Sequence, residues 1–370
     1  MPDDNMSSKS DLPQTTGPDP AHDARLAALD VFKGIAILAV VLIHVSSHAL
    51  RRLEGENVHF AVMILNRAAQ FAVPAFLFLT ALMATRSSLH PGFSALRFYQ
   101  SKVSRVLVPY LIWSLIYGLF RVETSAVVLS DLRSLTLWRD WLLGGDAFYH
   151  LYFLVVVFQF YAIFPLVRWF ARLPTVPAVV ILLALQVGAY WLNRLVLKSP
   201  SPGSLASSYI VVLGLGMLVG ARLEVWLTFW RRWRLGIVAL AALSLTLYLP
   251  DAVLALEGVP VNTFAYAAAS WVYSSAFALA LLGVCISLEQ RSLSRNQFRG
   301  GALGLIGRWS FQVYLIHPAV IVAFGGFAVS SDARTLTVEM IVLVAVAVLV
   351  PLSVAWVLGG SRLSRWAFGR

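Results

Sequence analysis

Apolar residues run along this chain in blocks long enough to cross roughly 30 Å of hydrocarbon, at 31–50, 60–84, 106–121, 148–170, 176–196, 208–229, 235–250, 264–287, 303–328 and 337–359. In lipid every backbone polar group needs an internal partner, which a helix supplies within one segment. The pattern therefore predicts an all-α polytopic membrane protein, a bundle of about ten transmembrane helices. The blocks at 106–121 and 235–250 are short, and that at 303–328 carries Arg308, Ser310, Gln312 and His317. Residues 1–24 are rich in Asp, Ser, Pro and Thr, and lack the basic start and short apolar stretch of a signal peptide. Three regions are expected: a disordered cytoplasmic tail at 1–28, a membrane domain at 29–360 and a short basic cytoplasmic C-terminus at 361–370. Neither an internal repeat nor a soluble second domain is evident.

Charge orients the bundle. Lys and Arg are retained on the cytoplasmic side, and they gather in the even-numbered loops, at Arg86, Arg97, Lys102, Arg105, Arg168, Arg172, Arg222 and the Arg231–Arg234 cluster. The odd-numbered loops hold most of the loop acids, among them Asp131, Asp140, Asp146, Asp251 and Glu257. Both termini are thus expected inside. Composition agrees, since 59% of the 370 residues are hydrophobic and 13% charged, against roughly 25% charged in soluble domains. The net charge of +11 comes from cations scattered through short loops, without a basic stripe interleaved with exposed aromatics. Anionic membrane lipids are the expected partners, not nucleic acid. A single cysteine, Cys285 in an apolar run, excludes an internal disulfide and a cysteine metal cluster.

Within the first block, Lys33 and His44 stand eleven residues apart. Eleven steps of about 100° return the second side chain to within about 20° of the first, roughly 16 Å further along the axis. A cation near one membrane surface therefore shares a helix face with an imidazole deep in the bilayer. Ionisable groups inside a membrane are expensive and commonly functional. The alternative on spacing alone is a snorkelling lysine and a histidine held by a neighbouring helix. In the expected orientation His44, His48, His59, His150 and His317 all map to the outer half or outer surface, while His22 and His90 fall on the inner side. Histidine suits proton transfer near neutral pH, so this grouping points to an outward-facing reaction site.

Four segments together resemble the acyltransferase-3 family of integral membrane acyltransferases. Residues 29–44, LDVFKGIAILAVVLIH, are similar to its first-helix hallmark of a basic residue, ten residues, then histidine. Residues 102–110, KVSRVLVPY, are similar to the basic motif and proline that open its third helix, and the segment from His150 to Pro165 to its His-Leu-Trp-Phe-Leu element. Residues 307–318, GRWSFQVYLIHP, are similar to its late Ser-Tyr-x-x-Tyr-Leu-x-His-Pro element. Two positions depart from the pattern: Lys33 replaces the usual arginine and Tyr152 the usual tryptophan. Lysine lacks the bidentate fork of arginine, and a Lys-Gly pair here leans toward relatives that modify surface polysaccharides.

The resemblance implies transfer of an acyl group, most often acetyl, from cytoplasmic acyl-CoA to a hydroxyl of a cell-surface glycan or envelope lipid, in a multi-pass protein of the bacterial inner membrane. Arg97, Lys102 and Arg105, with Lys33, are then candidates to hold the CoA phosphates, although the positive-inside bias alone also accounts for loop cations, Arg97 above all. His44 is the candidate general base. Ser310, Tyr314 and His317, at i, i+4 and i+7 on one helix face, are candidates to orient the acceptor or donate to the oxyanion; a polar seam between helices is the alternative for Ser310. His150, His48 and Asp30 are candidate acceptor contacts. An acyl-histidine relay stays open beside direct transfer.

Two other classes compete. A ten-helix chain suits a transporter of a lipid-linked sugar or envelope precursor, though transporters tend to carry paired repeats with broken helices. His44 and His48 at i, i+4 have a spacing that can chelate zinc, but no acid follows as in His-Glu-x-x-His, and no metal is expected. Gly216 and Gly220 fit close helix packing or dimerisation, and the oligomeric state stays open. Gly300, Gly301, Gly304 and Gly307 follow no strand and are no dinucleotide fingerprint.

Overall fold

The computed structural model describes residues 20–51, 56–294, 301–325 and 333–369. All regular structure among them is helical. In chain order the helices are α1 (Pro20–Leu50), α2 (Glu56–Ala68), α3 (Ala72–Ser88), α4 (Ala95–Lys102), α5 (Val108–Glu123), α6 (Leu135–Gly144), α7 (Tyr152–Val167), α8 (Thr175–Leu192) and α9 (Ile210–Ala221). They continue with α10 (Leu223–Leu256), α11 (Thr263–Ser294), α12 (Gly301–Arg308), α13 (Ser310–Phe324), α14 (Ala333–Val357) and α15 (Arg362–Phe368). Among the described residues, eight helical stretches are long and apolar enough to cross a membrane, and the α12–α13 pair makes a ninth if counted as one span. The helix α9 is apolar but shorter.

Four expectations are corrected or refined. The first helix begins at Pro20, so residues 20–28 belong to α1; residues 1–19 of the expected tail lie outside the described residues. The short basic C-terminus expected at 361–370 contains α15, which docks on α5: the Trp113 indole donates to the Ala367 carbonyl at 2.9 Å, and Phe368 is buried against the Trp113 ring. The next residue, Gly369, has φ +67°, and a Cβ there would overlap the backbone of Arg105. Only glycine meets both demands.

The third correction moves a turn. The Arg231–Arg234 cluster was expected in a loop after a helix at 208–229, but it lies inside the 34-residue α10. The break falls at Arg222, whose φ of −132° leaves the helical region. Its guanidinium donates to the carbonyls of Arg172 and Leu173 at 2.9 and 2.7 Å, satisfying acceptors at the end of the stretch that begins with α7. The fourth concerns 303–328, expected as one helix: α12 and α13 meet at 80° across Trp309. Close packing explains the bend. A Cβ on Gly307 would overlap the Asp30 carbonyl, and one on Gly34 the Leu303 carbonyl, so α12 crosses α1 backbone to backbone.

Gly216 and Gly220 serve the same end. A Cβ at either would overlap the Phe78 or Leu82 carbonyl, so this glycine face is spent on seating α9 against α3 within one chain. These matched registers also show that α3 and α9 run parallel. Between α4 and α5 the helix widens into a π-turn at Val103–Leu107. Pro109 follows after Val108, and its missing N–H cannot serve the Arg105 carbonyl four residues back.

Candidate active site

The first-helix and late motifs, separated by more than 260 residues of chain, meet at both ends. At the N-terminal end of α1, Asp30 lies between two cations, 2.6 Å from the Lys33 Nζ and 3.4 Å from the Arg308 Nε. Toward the C-terminal end, the His44 and His317 rings stand 5.3 Å apart between centroids. His150, in the turn entering α7, completes the group at 5.8 Å from His317. Tyr149 lies over His44 at 4.7 Å.

Each imidazole is held differently. Pro318 has no N–H for the Tyr314 carbonyl four residues back. The His317 Nδ1 lies by that carbonyl and by the Val313 carbonyl, 2.9 Å away. A carbonyl only accepts, so Nδ1 carries the hydrogen, and in the neutral ring Nε2 keeps its lone pair; that atom is buried without a hydrogen-bond partner. The His150 ring is buried with both nitrogens unpartnered, and its backbone carbonyl accepts the Tyr314 hydroxyl at 2.6 Å. Tyr314 thus spends its proton on positioning His150. Tyr117, which the sequence did not single out, ties α5 to the same level by donating to the Leu315 carbonyl at 2.7 Å and stacks on Phe148. Gln312 is buried with both amide atoms unpartnered.

A cavity of about 400 Å³ joins the two ends. Lys33, Ser87 and Lys102 line it near one end, with Ser310 on the first turn of α13 just after Arg308, and His44, His150 and Tyr314 line it toward the other; Val40, Phe76, Leu79, Phe153 and Val157 give it apolar walls. Lys102 is steadied by two rings, its ammonium 4.6 Å from the Tyr161 centroid and 5.1 Å from Phe98. The Lys33–His44 face predicted from helix geometry is therefore one wall of a single chamber.

Other candidate residues lie elsewhere. His317 packs behind His44 and is not among the lining residues. Arg97 and Arg105 are exposed and outside the lining. The His48 ring turns away from His44: its Nε2 lies 2.7 Å from the Gly325 carbonyl, and it lines a separate cavity with Phe324 and Leu343. His44 and His48 therefore do not form a pair. Among the described residues, no group of three or more His, Cys, Asp or Glu side chains has the arrangement to hold a metal ion. Asp30 is engaged by Lys33 and Arg308 at the end remote from the histidines.

The arrangement can hold an anionic group at its lysine end and a reacting group beside a cluster of imidazoles, between apolar walls. No match to a curated protein or to a solved structure was found. A family model described as an acyltransferase domain matches residues 26–359, nearly the whole chain, and both motif ends of the chamber lie within it. The chain belongs to the acyltransferase-3 family of membrane acyltransferases.

Proposed function

We propose that this protein moves an acyl group, acetyl in the first instance, from cytoplasmic acyl-CoA to a hydroxyl of a cell-surface glycan or envelope lipid, with His44 as general base. The observation that carries the reading is the chamber lined by Lys33 and Lys102 at one end and by His44 and His150 at the other. Two cations suit the phosphates of CoA, and the apolar walls suit its narrow arm and the acyl group. The family assignment does not favour the transporter reading.

The acceptor O–H gives its proton to an imidazole nitrogen as its oxygen bonds to the thioester carbonyl carbon. The tetrahedral intermediate then collapses, the C–S bond breaks, and the imidazolium proton passes to the departing CoA thiolate. His44 is favoured as base over His317 because its ring reaches the chamber, while His317 lies behind it. Lys33 and Lys102 take the donor phosphates, and Ser310, two residues after Arg308, lines the wall between them and the imidazoles. Exposed Arg97 and Arg105 act at most on the approach of CoA. Ten membrane crossings, counting α9 as a short one, with both termini in the cytoplasm of a bacterial inner membrane, put the lysine end inside.

Membranes containing the protein, supplied with acetyl-CoA labelled in the acetyl group, test this. Label is expected in an envelope glycan or lipid fraction and absent from membranes with His44→Ala. Label that never leaves CoA, or transfer that survives His44→Ala, refutes it.

A further inference from the structure

A second cavity, of about 580 Å³, lies between the C-terminal end of α8, the segment 198–209 and the N-terminal half of α11. We infer that it is the binding site for the acceptor, and that the acceptor group it takes is a saccharide. This inference rests on the proposed acyl transfer.

Depth is the first argument. Helix α9 has 12 residues, about 18 Å at 1.5 Å per residue, against roughly 30 Å of hydrocarbon. The segment leading into it, 3-10 turns at Pro202–Ser204 and Ala206–Tyr209 joined through Leu205, carries the chain across the remaining depth, and backbone groups that such short turns leave unpaired are tolerated there only where they are held by protein or border a water-filled cavity. Two glutamines hold it there. Gln159 of α7 donates to the Ser204 carbonyl and accepts from the Ala206 N–H, both at 2.8 Å. Gln186 of α8 donates to the Ser207 carbonyl at 3.1 Å and accepts from the Val211 N–H at 3.2 Å.

Lining chemistry is the second. Tyr190, Tyr266 and Trp271 present aromatic surface beside the amide of Asn193 and the hydroxyls of Ser270 and Ser274. Rings that take apolar C–H faces, alternating with hydroxyl and amide groups that take O–H groups, match a sugar ring and not a lipid tail. Ser275 also lines the cavity, and its hydroxyl is buried without a hydrogen-bond partner. Arg194 and Lys198 are the charged lining residues and no acid joins them, so a neutral or acidic sugar is admitted and a cationic one disfavoured.

Position is the third. The cavity opens at the C-terminal end of α8 and the N-terminal ends of α9 and α11, the end of the bundle toward which His44 lies on α1. It borders the chamber: Pro74 lines one and Val73 the other, and Tyr209 on one side interacts through its hydroxyl with Tyr152 on the other. The Tyr152–Tyr209 pair thus marks where the two cavities approach each other, and Tyr152 follows His150 by two residues.

The test uses the full chain in membranes, with Ser270→Cys, a small change in the cavity wall; the native Cys285 is buried. A charged, membrane-impermeant methanethiosulfonate reagent should modify Ser270→Cys from outside and lower acetyl transfer to the envelope fraction at least tenfold, leaving acyl-CoA binding unchanged. Trp271→Ala should lower transfer similarly, and Trp271→Phe should restore most of it. A thiol that the reagent cannot reach, full transfer after modification, or parallel loss of acyl-CoA binding overturns the assignment. If the unmodified parent itself transfers no acetyl group, the acyl-transfer reading falls, and this inference with it.

Discussion

Replacing His44 and His317 by alanine separates the base from its support, because the structure assigns the two rings different energetic roles. The His44 ring is half-buried and faces an existing chamber, so its removal enlarges a void already present and should cost less than about 1 kcal/mol of stability. His317 is fully buried and donates to the Val313 carbonyl. Losing that bond costs about 1 kcal/mol, and removing a packed ring adds enough to bring the total to about 2–4 kcal/mol. The kinetic effects should run the other way. Loss of a general base lowers the rate by about 10²–10⁴-fold, equivalent to about 2.7–5.4 kcal/mol of barrier at 1.36 kcal/mol per tenfold. His44→Ala is therefore expected to melt near the parent, bind acyl-CoA as tightly and transfer at least a hundredfold more slowly. His317→Ala should melt lower, with its remaining folded fraction retaining more activity than His44→Ala. Thermal melts in detergent, acyl-CoA titration and single-turnover transfer from labelled acetyl-CoA measure the three quantities. If His44→Ala loses no more than threefold in transfer while folded His317→Ala or His150→Ala loses a hundredfold, the base sits on another element and the argument from chamber lining is wrong.

Three further outcomes are expected. Lys102→Ala should weaken acyl-CoA binding at least tenfold and added salt should weaken the parent, while Arg105→Ala changes affinity less than threefold; equal effects would mean that the donor phosphates lie on the surface. Cysteines at Ser134 and Thr228 should label from opposite sides of intact cells, and modification of both by an impermeant reagent from outside would refute the orientation. Gly307→Ala should lower the melting temperature, at a cost of about 1–3 kcal/mol for overpacking, because the added carbon meets the Asp30 backbone; an unchanged melt would show that the α1–α12 crossing can relax.

Periodicity and length made most of the spans legible, because an apolar block in lipid has few alternatives to a helix. The exceptions have local causes. Arg222 ends a helix by capping carbonyls of a different segment, a contact that no local pattern announces, whereas Trp226 and Phe229 made the following residues look like a continuation. The bend at Trp309 depends on how closely α12 can approach α1, which two glycines decide together. At the site, the Lys33–His44 spacing and the i, i+4, i+7 face of Ser310, Tyr314 and His317 were legible because each lies on one helix. Tyr149 and Tyr117 were not, since their roles come from contacts with His44 and Leu315 across elements. The aromatic run Phe148-Tyr149 directly before His150 was the available signal.

A group transfer across a membrane asks that donor and acceptor meet without either crossing. The two-cavity layout meets that demand through the position of the imidazoles. From Lys33 to His44 the first helix rises roughly 16 Å, about half the hydrocarbon thickness, so an acyl group on a long arm can reach the middle of the bilayer while its phosphates stay at the lysine end. The second cavity descends from the other side beside the shortened α9, and the Tyr152–Tyr209 contact stands where the two approach. On this reading the short helix and the glutamine-held segment before it are not irregularities of the fold. They are what lets an acceptor hydroxyl reach histidines that a full-length span would hold out of reach.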